Sequence, residues 1–124
     1  MAAIVGLGVR AHADAVVEQY RPGDVKLWDP KTGAAIASLD GATSNVWSAA
    51  WSNDGTRLVT SGYDGKATVW SVPEKKALIT VEKRKGWVRS VAFSADAKHF
   101  AMAGEDGQVT IWAVEGGMEV KTFK

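Results

Sequence analysis

Short apolar runs alternate with short polar breaks along most of the chain. Between positions 46 and 81 the runs are 46–52, 57–61, 67–70 and 77–81. The breaks hold Asn53, Asp54 and Gly55, then Tyr63, Asp64 and Gly65, then Val72, Pro73 and Glu74. Short runs rich in β-branched and aromatic residues, bounded by such clusters, predict strands. Asp-Gly between two runs is a hairpin signal, because glycine takes a positive φ with little strain. The run Val46-Trp-Ser-Ala-Ala-Trp51 is apolar almost throughout. That pattern predicts sheets covered on both faces rather than one.

The same pattern recurs. Gly23-Asp-Val-Lys-Leu-Trp28, Gly65-Lys-Ala-Thr-Val-Trp70 and Gly107-Gln-Val-Thr-Ile-Trp112 stand 42 positions apart both times. With the same shift Val46 meets Val88, Ser48 meets Ser90, Trp51 meets Phe93, Asp54 meets Asp96, Leu58 meets Phe100 and Asp64 meets Asp106. Ile4, Val9 and Val16 take the corresponding places one period earlier. A fixed period of about 40–45 residues is the length of one propeller blade. The expected fold is all-β: three four-stranded antiparallel meanders over 1–40, 41–82 and 83–124. The first strand of each is the run ending near Val9, Trp51 or Phe93.

The rest of the composition changes this picture little. The chain has 124 residues, a net charge of +1 and no cysteine. No strong field draws it to nucleic acid or membrane, and thiolate metal sites and disulfides are excluded. No leader pattern and no membrane-length apolar run is present, so a soluble cytoplasmic protein is expected.

At these residues the chain resembles the WD40 repeat family. Trp28-Asp-Pro-Lys-Thr-Gly33 is similar to that family's third-strand end and following turn. Ser61-Gly-Tyr-Asp-Gly65 and Ala103-Gly-Glu-Asp-Gly107 resemble its turn between strands b and c. Val88-Arg-Ser-Val-Ala-Phe-Ser-Ala-Asp96 resembles its strand a and the turn after it. The resemblance implies a β-propeller and a non-enzymatic scaffold that binds protein or peptide partners, with no cofactor. It also implies a hydrogen-bonded His–Ser/Thr–Asp–Trp set in each blade, which is incomplete here. Asp64 and Asp106 match it, but Pro22 stands at the first such site, and the hydroxyl falls only at Ser61.

Trp28, Trp70 and Trp112 are expected to be core packing. Asp64 and Asp106, each followed by a glycine (Gly65 and Gly107, with Gly23 at the same place in the first repeat), are expected to close turns through backbone N–H groups. By the resemblance, partners dock on the rim formed by the b–c turns and the loops between blades. That rim holds Asn45, Trp47, Tyr63, Trp87, Arg89 and Glu105. Aromatic residues and arginine are what protein-binding hot spots use, though Trp47 and Trp87 could equally fill space between blades. Only His12 and His99 are available as imidazoles, and two isolated histidines make neither a metal site nor a catalytic set.

Two other readings compete. Gly6, Gly8 and Ala11 fit a loose dinucleotide fingerprint, with 11–20 as its helix and Asp29 as the acidic position, which would make the chain a nucleotide-binding enzyme fragment. Alternatively the chain is a structural or minimal engineered propeller with no partner. Either way, three blades do not close a ring of about four to eight. The end blades would expose apolar faces. Closure is therefore expected from a second copy, giving six blades as a homodimer, or from another blade-bearing chain.

Overall fold

The computed structural model describes residues 9–12, 15–19, 24–29, 31–40, 46–82 and 86–124. Their regular structure is β throughout, apart from one 3₁₀ turn at Glu115–Gly117. Sheet 1 holds β1 (Val9–His12), β2 (Ala15–Gln19), β3 (Asp24–Trp28) and β4 (Ala35–Asp40). Sheet 2 holds β5 (Val46–Trp51), β6 (Arg57–Gly62), β7 (Lys66–Ser71) and β8 (Lys76–Glu82). Sheet 3 holds β9 (Val88–Phe93), β10 (His99–Gly104), β11 (Val109–Ala113) and β12 (Glu119–Phe123). Each sheet is an antiparallel meander in chain order, and the three do not close on themselves.

The turns explain why the strands end where they do. In the first turn of sheet 2, the Asp54 carboxylate accepts the Ser52 hydroxyl at 2.7 Å and the Thr56 N–H at 3.0 Å. The Ser52 hydroxyl in turn accepts the Arg57 N–H. Ser94, Asp96, Lys98 and His99 repeat the arrangement in sheet 3. The Asn53 side chain donates to the Ala95 carbonyl at 3.2 Å, tying one sheet's turn to the next. Sheet 1 has Arg10 and His12 where the serine and aspartate would stand. Its first hairpin is correspondingly tighter. Ala11, not Val9, lies opposite Val16, whereas Trp51 faces Leu58 and Phe93 faces Phe100. The first strand of sheet 1 is thus shifted by two residues from the 42-residue register. A shift of two keeps each residue on its original face.

Alternation along the strands sorts side chains between two cores. Val59, Ala67, Val69 and Val81 of sheet 2 pack against Val88, Val91, Phe100, Met102, Trp112 and Val114 of sheet 3. The opposite face of sheet 2 places Leu58 and Trp70 against Leu27 of sheet 1, with Val46, Ala49 and Trp51 around them. Trp70 and Trp112 therefore each face the preceding sheet. Leu27 faces sheet 2, so Trp28 beside it faces away, and it is only half-buried.

Among the described residues, no core cluster forms on the far side of sheet 3. Ala101, Val109, Ile111 and Phe123 occupy the places held in sheet 2 by Val59, Ala67, Val69 and Val81. The sheet 2 residues are all buried, whereas Val109 is 37% and Phe123 48% exposed.

Two irregularities recur. In β5 and β9 the register jumps, so that Trp47 and Arg89 are the extra residues of matching bulges. In the outer strands, jumps beside Trp28, Trp70 and Trp112 leave Ile36, Leu78 and Val120 as extra residues.

Candidate functional site

One rim of the stacked sheets is made by the turns after β6 and β10 and by the loop that leads into β9. The turns are built by the Asp-Gly pairs. The Asp64 carboxylate accepts the Lys66 N–H at 3.1 Å, and Asp106 accepts the Gln108 N–H at 3.0 Å. Gly65 and Gly107 take φ of 78° and 73°, the left-handed region where a side chain would be strained. Gly23 lies outside the described residues.

These turns bring four of the six expected rim residues together. Tyr63 meets Trp87 edge-on, with ring centroids 4.4 Å apart. The Arg89 guanidinium carbon lies 5.2 Å from the centre of the Trp87 ring. Arg89 also donates to Glu105 at 2.9 Å, and the Glu105 N–H donates to the Trp87 carbonyl at 3.2 Å. The bulge in β9 delivers Arg89. An extra residue re-aims a strand locally, and here it sends the arginine along the rim. Gly86, at φ +92°, makes room beside it, because a Cβ there would come 3.3 Å from the Glu105 carboxylate. Trp87 keeps 37% of its surface exposed. Asn45 lies outside the described residues. Trp47 holds the matching bulge position in β5, and its side chain is likewise outside the description.

The cluster combines an exposed aromatic surface with a guanidinium donor and a carboxylate acceptor. Such a set suits peptide recognition, and it holds no nucleophile with an adjacent base. Among the described residues no group of three acidic or histidine side chains could hold a metal ion. No helix there is long and apolar enough to cross a membrane.

The hydroxyl that holds a tryptophan is not the one the sequence suggested. The Trp70 indole N–H donates to Thr60 at 2.9 Å. Ser61 is one residue further on, so it faces the other side of β6 and reaches the Val88 carbonyl instead, at 3.5 Å. In sheet 3, Met102 stands where Thr60 does in sheet 2, and the Trp112 indole N–H has no acceptor among the described residues. Side-chain parity with Trp70 on β6 and β7 was the signal available for Thr60.

The dinucleotide reading fails on geometry. It needs a helix opening at Ala11, but Ala11 lies in β1 and 15–19 forms β2, paired to it. An extended hairpin offers no helix N-terminus to a pyrophosphate. Gly6 and Gly8 are outside the described residues.

The family model described as "WD domain, G-beta repeat" matches residues 33–71 and 75–113. Each matched unit runs from the outer strand of one sheet through the first three strands of the next. The unit of sequence thus bridges two sheets. Coronin-7 of Mus musculus is 36% identical over 58 residues, which are 47% of this chain and 6% of that protein. The chain therefore spans a small fraction of that relative's length.

Proposed function

Because the chain belongs to the WD40 repeat family, whose repeats form β-propeller-type protein-interaction scaffolds, we propose that it presents the Tyr63–Trp87–Arg89–Glu105 rim to a protein or peptide partner. The 42-residue period makes Asn45 and Trp47 the counterparts of Trp87 and Arg89, so both are counted in the same binding rim. The chain works by binding, not catalysis. The observation that carries the reading is the rim cluster itself. An aromatic pair braced by an ion pair, with Trp87 still partly open, needs little ordering when a partner docks.

The scaffold is completed by a second copy. The support is the uncovered face of sheet 3, whose equivalent in sheet 2 is buried by a following sheet. Two copies joined head to tail would cover both end faces and make a ring of six blades, within the usual range. Another blade-bearing chain could fill the same place.

Two measurements separate the parts of this reading. Light scattering should give a particle of twice the 13.2 kDa chain mass, and a well-folded monomer at micromolar concentration refutes the dimer. Peptides selected from a random display library on the native protein should bind at least about tenfold more weakly to Trp87→Ala, the effect of losing one hot-spot side chain. Unchanged binding by Trp87→Ala and by Arg89→Ala, with the particle mass intact, refutes the rim.

A further inference from the structure

The contact between sheets 2 and 3 is a template for one that a single copy does not make. In it, the turn between β11 and β12 reaches back over β8. A Cβ on Gly117, at φ +61°, would lie 3.9 Å from the Ile79 Cβ and 3.8 Å from the Val81 side chain. Beside that turn, Trp112 is buried against sheet 2, at 7% exposure. Ile79 and Val81 stand opposite Val69 and Ala67, on the face of sheet 2 that packs on sheet 3.

Both halves of this contact recur in the chain, apart from each other. Two periods before Gly117 and Trp112 stand Gly33 and Trp28. The turn that carries Gly33 is already formed. The Asp29 N–H donates to the Ala34 carbonyl at 2.8 Å, as the Ala113 N–H donates to the Met118 carbonyl at 2.8 Å. The Asp29 carboxylate also accepts the Lys31 N–H. Gly33 takes a φ of +71°, yet among the described residues a Cβ there meets nothing within 4 Å. One period after Ile79 and Val81 stand Lys121 and Phe123, opposite Ile111 and Val109 on the far face of sheet 3. Sheet 1 thus offers a finished turn and a half-buried tryptophan, and sheet 3 offers the strand that such a turn covers. Sheet 2 lies between them.

Resting on closure by a second copy, we propose that the seam repeats the contact of sheets 2 and 3 between copies. The Gly33 turn of one copy seats on β12 of the other, against Lys121 and Phe123, and Trp28 joins Val109 and Ile111. Each copy carries one half of the contact at each end, and a head-to-tail contact of this kind closes into a ring when its rotation permits. Lys121 stands in place of Ile79, which is itself only partly buried. Its ammonium lies 4.9 Å from the centre of the Phe123 ring, so its stem covers apolar surface while the charge keeps its water.

The chain has no cysteine, so a placed disulfide tests the seam directly. Disulfides bring Cβ atoms to about 3.8 Å. Gly117→Cys with Ile79→Cys meets that distance inside one copy and is the positive control. In oxidised glutathione it should lose both thiols with no change of size on a denaturing gel. Gly33→Cys with Lys121→Cys, treated alike, should run as a disulfide-linked dimer, and neither single variant should. Lys75, the counterpart of Gly33 in sheet 2, holds a φ of +56°, so this place in the repeat accepts a side chain. If Gly33→Cys still unfolds the chain, as judged by circular dichroism, Phe123→Arg reads the same seam and should halve a particle mass of twice 13.2 kDa. A dimeric native particle whose double variant stays unlinked, while the control closes, overturns the seam and leaves closure by a second copy standing. So does Lys121→Cys linking to itself, which marks two sheet 3 faces packed together, or an undiminished mass in folded Phe123→Arg. A monomeric native particle overturns both.

Discussion

The hydrogen bond from Trp70 to Thr60 offers a sharp test of how the sheets are held. Both residues are almost wholly buried, at 1% and 2% exposure, and the bond is 2.9 Å long. Thr60→Val keeps the shape of the side chain and removes the acceptor. The indole N–H is then buried without a partner, which costs about 1–3 kcal/mol. Valine recovers a little through its added methyl, so a net loss of about 1–2 kcal/mol is expected. Urea unfolding followed by far-UV circular dichroism, at one fixed protein concentration, reads this as a lower midpoint at unchanged slope. The control is Trp70→Phe, after which Thr60→Val should have far less effect, giving a coupling of about 1 kcal/mol. Sheet 3 supplies a second control. The Trp112 N–H has no acceptor among the described residues, so Trp112→Phe should cost less than Trp70→Phe. If Thr60→Val lies within about 0.3 kcal/mol of the native chain, or if its effect persists undiminished beside Trp70→Phe, the bond does not hold sheet 2 as reasoned.

Phe100, 1% exposed in the core between sheets 2 and 3, should cost about 3–5 kcal/mol on replacement by alanine, read by the same urea transitions. Gly107→Ala meets nothing within 4 Å, so only its φ of +73° opposes the change, and a loss of about 1–2 kcal/mol is expected. The Thr56 N–H, then the Ser52 and Thr56 hydroxyls, hold the Asp54 carboxyl down to about 2, against an ordinary 3.8. A depressed pKa contributes stability that is complete above pH 3.8 and is lost as pH falls through about 2. The melting difference between the native chain and Asp54→Asn should therefore be constant above pH 4 and shrink below it, and a pH-independent difference refutes the assignment. Arg89→Ala should change stability by less than about 1 kcal/mol, since its ion pair with Glu105 is exposed, while lowering the affinity of rim-selected peptides.

The three sheets were legible because one signal is repeated. Trp28, Trp70 and Trp112 at equal spacing, with Asp-Gly turns before two of them, mark the same strand three times. Burial on both faces of β6 and β7 follows from their continuous apolar runs. What escaped was set by single residues. The bulges at Trp47 and Arg89 add one residue to a ladder without altering composition, so only pairing reveals them. Thr60 and Ser61 are equally good acceptors on paper, and the choice between them rests on which face of β6 carries Trp70. The two-residue shift in sheet 1 traces to Arg10 and His12, where a serine and an aspartate close the wider turn elsewhere. Tyr63, Trp87, Arg89 and Glu105 were nameable as rim residues from the repeat, but their mutual bracing depends on side-chain paths that spacing does not encode.

β4, β8 and β12 are end strands of their sheets, and among the described strands each pairs on one side only. Each edge is interrupted at the same point by the extra residue, Ile36, Leu78 or Val120. A kinked margin is a poor template for another strand. Molecules of this kind can therefore crowd flank to flank without zipping into fibrils, and straightening that margin by deleting Leu78 would remove a guard against amyloid growth.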